Sequence, residues 1–144
     1  MSRRKFWKLI GNLSEEKTTV LVTTHYLDEA EYCHRLALIH AGKLAALGTV
    51  DELKSVFTGR AVLELAAPRP GEALDALAAQ PWVLETSVFG THVHAVVADP
   101  EDGIRRTREL MEKTGNVPAA VERIPPSLED VFIHHVEEKS AAPA

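Results

Sequence analysis

Histidine is the side chain whose ordinary titration lies nearest neutral pH, so it is the first place to look for proton or phosphate chemistry. His25 stands out by its setting, at the end of T-T-V-L-V-T-T-H and before Y-L-D-E-A-E. Residues 19–23 are rich in β-branched side chains, and Val20, Leu21 and Val22 form a continuous apolar run. That pattern predicts a strand covered on both faces, as in a parallel α/β sheet. Residues 27–33 then predict a short helix, with Asp28, Glu29 and Glu31 where negative charge complements the helix dipole. His25 is therefore expected at the carboxyl end of a parallel strand, where open α/β sheets hold their ligands. On residue chemistry alone, the simpler account is a histidine that satisfies a turn.

Four more histidines invite a metal reading. His92 and His94 are two residues apart and share a strand face; His134 and His135 lie near the end of the chain. Two histidines need further ligands and groups that orient them. No cysteine or carboxylate stands at ligand spacing near His92, so no metal site is expected. The pair is expected on an exposed sheet face, with Val93, Ala95 and Val97 turned inward. Cys33 is the one cysteine. It excludes an internal disulfide, fits a reducing compartment, and has no neighbour beyond His34 and Arg35 to activate it.

The elements that would position these residues can be read along the chain. Residues 3–16 predict a helix, with Phe6, Leu9, Ile10 and Leu13 on one stripe. Residues 35–40 and 43–48 predict two strands around the turn Ala41-Gly42. Thr49 to Glu52 is a capping box that opens a short helix. From Gly59 the order becomes strand (60–66), helix (71–79), strands (82–88 and 91–98) joined at Phe89-Gly90, helix (100–114) and strand (117–124). This is the β-α-β-β-α-β order of a ferredoxin-like unit. Ser127 and Asp130 cap a last helix, whose apolar stripe includes Leu128, Val131, Phe132 and Val136.

Composition narrows the function classes. The chain has 144 residues, 45% hydrophobic and 26% charged, with a net charge of −5. Those values fit packed globular structure and argue against a general nucleic-acid binder. Arg3, Arg4, Lys5 and Lys8 read as a solvated helix face. No run approaches the roughly 20 apolar residues of a membrane span, and no apolar signal core comes after the basic start. The first 58 residues offer a buried strand without a partner strand, as at the end of an α/β domain.

These residues carry a resemblance. Residues 2–54 resemble the end of the nucleotide-binding domain of an ABC transporter. T-T-V-L-V-T-T-H-Y-L-D-E-A-E resembles its switch-histidine segment, and C-H-R-L-A-L-I-H-A-G-K-L-A-A-L-G-T-V-D-E-L resembles the two strands and helix next to that segment. S-R-R-K-F-W resembles the helix after the D-loop. The later half resembles the accessory C-terminal domain of exporter ATPases of the daunorubicin-resistance and related type-2 groups, and P-S-L-E-D-V-F-I is similar to their terminus. The resemblance covers nearly the whole chain.

It implies α/β then α+β architecture. Residues 1–58 would be the C-terminal remnant of a P-loop NTPase (ABC) nucleotide-binding domain. Residues 59–136 would be a ferredoxin-like accessory domain ending in a helix, and residues 137–144 a flexible tail. His25 would match the switch histidine, donating to the γ-phosphate and orienting water in the intact parent. Asp28 and Glu29 read as helix-start acids only. The chain has no G-x-x-x-x-G-K-[ST] loop, Gln loop, L-S-G-G-Q signature or Walker B pair. ATP and Mg²⁺ are thus implied for the parent and not for this chain, which is expected to be inactive alone.

The resemblance further implies a transmembrane permease and a second ATPase subunit as partners, on the cytoplasmic face of the membrane. A regulatory or assembly role falls to the accessory domain. Leu128, Val131 and Phe132 are expected to dock the terminal helix. Exposed Val20, Leu21 and Val22 would favour self-association or a domain-swapped dimer. The alternative is a stand-alone ferredoxin-like module that senses a ligand or binds a protein, with no enzymatic activity.

Overall fold

The computed structural model describes residues 1–141. Helix α1 spans Arg3–Glu15, opened by Ser2, whose hydroxyl accepts from the Lys5 N–H. Helix α2 is the single turn Leu27–Ala30. Strands β1 (Leu36–His40) and β2 (Lys43–Gly48) form an antiparallel hairpin. Ala41 and Gly42 both have positive φ, 49° and 72°, as a tight two-residue hairpin turn requires. Helix α3 (Val50–Lys54) carries the expected capping box: Glu52 N–H donates to Thr49 Oγ1 at 3.1 Å, and Thr49 N–H to Glu52 Oε2 at 2.8 Å. One 3₁₀ turn, Ser55–Phe57, comes next.

The second part contains β3 (Ala61–Ala66), α4 (Pro70–Ala78), β4 (Val83–Phe89), β5 (His92–Val97), α5 (Pro100–Lys113), β6 (Val121–Ile124) and α6 (Leu128–Ala141). The four strands form one sheet in the order β4-β5-β3-β6, antiparallel throughout. The chain is thus mixed α/β with two antiparallel sheets, the larger belonging to an α+β unit.

Alternation along β3 and β5 divides the sheet into two faces. Leu63, Leu65, Val93, Ala95 and Val97 pack toward the side of α4 and α5, with Ala73, Leu77 and Met111. Gly103 lets α5 approach closely: a Cβ there would sit 2.8 Å from Val97 Cγ2. The opposite face is also covered. Val62 and Val96 share a core with Leu128 and Val131 of α6, and with Ala30, Leu36, Leu38, Leu53 and Phe57 from the first part. Packing is therefore continuous across residue 58.

Several expectations need correction. No strand forms over residues 19–23; the backbone there is irregular and Leu21 is 94% exposed. A β-branched apolar run is suited to a strand, but a strand exists only when a neighbour supplies its ladder bonds, and here none does. Strand β6 begins at Val121 rather than 117, because Pro118 cannot donate to a ladder. The β4–β5 turn falls at Gly90-Thr91, one residue later than predicted. The face bearing His94 is buried under α6 rather than exposed. Residues 137–141, expected as tail, continue α6; residues 142–144 lie outside the described residues.

Candidate functional site

His25 is exposed and lies on the irregular stretch just before α2. Its ring stacks on Tyr26, with centroids 4.1 Å apart. The Tyr26 N–H donates to Thr24 Oγ1 at 3.0 Å, which fixes the turn. Arg3 from α1 lies over the Tyr26 ring at 4.4 Å and pairs with Glu29 at the start of α2. His25, Arg3 and Thr24 border an open cleft of about 580 Å³. An exposed imidazole on the rim of such a cleft can donate to an anionic oxygen. Asp28 and Glu29 are helix-start acids.

A second cluster lies at the seam between the sheet and α6. His94 and Asp130 are 6% and 4% exposed. His94 Nδ1 is 2.7 Å from Asp130 Oδ1, and its Nε2 is 3.0 Å from Glu64 Oε2. The other oxygen of Asp130 accepts from both the N–H and the hydroxyl of Ser127, each at 2.8 Å. The capping pair read from the sequence is thus also an ion-pair anchor. One helical turn on, His134 Nδ1 is 2.6 Å from Glu85 Oε1, which Arg60 approaches at 3.5 Å.

The electrostatics are set by burial and pairing. Burial alone pushes the His94 imidazole down, but hydrogen bonds to Asp130 and Glu64 outweigh it and raise its pKa. Burial pushes Asp130 up, yet His94 and Ser127 hold it below the usual carboxylate range. Glu137 is raised by burial and by the charge of Glu85. Burial also raises the Cys33 thiol, which disfavours the nucleophilic thiolate.

The structure does not bring His25 together with His92, His94, His134 or His135. His92 stays exposed at the start of β5. Among the described residues, no group of three or more His, Cys, Asp or Glu side chains is arranged to hold a metal ion. Leu128 and Val131 are fully buried, and Phe132 is half-buried against His40, with ring centroids 5.8 Å apart.

Sequence reasoning missed Glu64, Glu85 and Asp130 as partners of buried histidines. One signal was present. Val93-His94-Ala95-Val96-Val97 is apolar at both parities around the histidine, the pattern of a strand buried on both faces. His94 then needs polar partners of its own.

An antiparallel sheet backed by α4 and α5, with a terminal helix pinned to its other face, defines an α+β domain of a recognisable kind. The profile of the family described as "ATP-binding protein DrrA1-3-like, C-terminal domain" matches residues 48–136. The chain belongs to this family. It is 53% identical over 55 residues to the probable multidrug ABC transporter ATP-binding protein YbhF of Escherichia coli (strain K12), covering 38% of this chain and 10% of that protein. It is 32% identical over 133 residues to the Nod factor export ATP-binding protein I of Burkholderia thailandensis, covering 92% of this chain and 41% of that protein. The protein of the same name from Rhizobium sp. (strain N33) is 30% identical over 133 residues. The resemblance to the C-terminal part of ABC exporter ATP-binding subunits is borne out. The chain spans less than half the length of the curated relatives it matches. No helix among the described residues is long and apolar enough to cross a membrane.

Proposed function

We propose that this chain is the C-terminal part of the ATP-binding subunit of an ABC exporter. The observation that carries the reading is the family match over residues 48–136, together with similarity to Nod factor export subunits over 92% of the chain. In the whole subunit, residues 1–58 complete a nucleotide-binding domain and His25 faces the γ-phosphate of ATP held with Mg²⁺. The exposed imidazole at the cleft rim supports that role. Residues 59–136 are a ferredoxin-like accessory domain with a regulatory or assembly role. The β-α-β-β-α-β order and the β4-β5-β3-β6 sheet support this. The subunit works beside a second copy and a transmembrane permease, on the cytoplasmic face of the membrane.

The chain lacks the phosphate loop and the signature motif. Phosphoryl transfer depends on positioning and charge stabilisation by the full constellation, so hydrolysis belongs to the whole subunit. The test is His25→Ala in a whole subunit carrying this sequence. ATP turnover should fall by roughly a hundredfold, the scale of losing one transition-state donor, with ATP binding retained. Unchanged turnover would remove His25 from the mechanism.

A further inference from the structure

Helix α6 touches both parts of the chain. On one side Asp130 meets His94 of β5 and His134 meets Glu85 of β4. On the other, α6 packs against α2, α3 and β2. There Leu128 and Val131 share a core with Ala30, Leu53 and Phe57. Helix α2 begins two residues after His25, and its last residue, Ala30, is buried in that core. The N–H groups of Glu29 and Ala30 both donate to the Tyr26 carbonyl, at 3.1 and 3.2 Å. A shift of α6 would therefore carry α2, and with it the residue adjoining His25.

Beside the buried Leu128 and Val131, one polar contact that seats α6 turns on a proton. Both ring nitrogens of His94 face carboxylate oxygens, Asp130 on α6 and Glu64 on β3. A neutral imidazole has one N–H and can satisfy one of them; the imidazolium donates to both. Each such bond to a charged group is stronger than a neutral one.

We propose that His94 is a positioning residue for the His25 segment: its doubly bonded imidazolium clamps α6 to the sheet, and α6 holds α2 and the turn at Tyr26. The functional consequence rests on the reading of His25 given above; the mechanical coupling does not.

The charged groups around the clamp set its pH window. Glu64 and Asp130 face His94, while β4 offers the uncharged Phe89 ring at 4.5 Å. Further along α6, His134 faces Glu85 and lies 3.6 Å from Glu138, with His135 and Glu137 nearby and Arg60 behind Glu85. The folded pKa of His94 is raised above 6.5. Its contribution is therefore complete below that value and is lost as pH rises through the higher folded one. Asp130 is lowered from 3.8, so its contribution is present above that value and is lost as pH falls through the lower folded one.

Amide hydrogen exchange on the 144-residue chain, referred to the intrinsic rate at each pH, reads the coupling. The N–H groups of Ala30, Tyr32 and Cys33 are bonded within residues 26–33, and that of Val131 to Ser127. From about pH 6 to about pH 9, protection at all four should fall together by roughly tenfold to a hundredfold, the scale of one charge-assisted hydrogen bond. His94→Asn should hold all four at a low level that no longer responds to pH. Asp130→Asn keeps an oxygen for Ser127 and should flatten the pH response with helix content unchanged. Protection at residues 30–33 that stays level while α6 loosens would overturn the coupling. So would a pH response that survives both substitutions. A whole subunit indifferent to His25→Ala would undo the functional reading and leave the exchange result standing. Absent coupling would do the reverse.

Discussion

Helix α1 and the four-stranded sheet illustrate two ways a sequence pattern can be satisfied. Helix α1 forms although none of its residues is buried, because helical hydrogen bonds close within the segment itself. The stretch just after it is as well patterned for a strand as β5, yet it forms none. Strand β5 has β3 on one side and β4 on the other, and Val93 and Ala95 are fully buried. A helix closes its hydrogen bonds within one segment, whereas a strand needs a neighbour to complete it.

The largest effect that tests this contrast is in the core. Leu77 on α4 is fully buried, whereas Leu9 on α1 is 49% exposed. Leu77→Ala should cost about 2–5 kcal/mol, within the range for buried Leu truncation. Leu9→Ala should stay within about 0.5 kcal/mol, as surface changes do. Denaturant unfolding of both variants checks this. Equal costs would mean that α1 shares the sheet's core in solution.

The same contrast explains what was legible in the sequence. Helices and turns with local signals were readable: the Thr49–Glu52 box, the Asp99 cap before Pro100, and the Ala41-Gly42 turn all sit where their chemistry puts them. The β-α-β-β-α-β order was readable for the same reason. The strand at 19–23 was misread because pairing is a property of two segments. The burial of His94 was misread because it depends on where α6 comes to rest, 36 residues later in the chain. The exposed setting of His25 is likewise a matter of what surrounds it. The role proposed for it rests on resemblance of the surrounding motif.

A residue on the seam should fall between the two extremes. Phe132 is half-buried and meets His40 on β1 edge to face. Full burial of a Phe is worth about 3–5 kcal/mol on truncation, so Phe132→Ala should cost about 2 kcal/mol. Thermal melting measures the loss, and exchange should show it at both α6 and β1. An unchanged melting curve would mean that the two parts meet without sharing stability.

The smallest effect on stability falls on the unpaired stretch itself, and its readout is association. Leu21 is 94% exposed, with Phe6 at 36% and Leu9 at 49% on the neighbouring helix. Exposed apolar side chains beside backbone that lacks ladder partners favour pairing with another chain. We therefore expect the 144-residue chain to self-associate as its concentration rises, by exchange or addition of this segment. Leu21→Asp should leave the melting temperature nearly unchanged, since the side chain loses no packing, yet shift sedimentation toward the monomer. Removing residues 1–24 should likewise shift sedimentation toward the monomer. Removing all of residues 1–58 would confuse the result, because Leu53 and Phe57 share the core of Leu128 and Val131. A chain that sediments as a monomer at high concentration, with and without Leu21→Asp, would show that solvent alone satisfies this stretch.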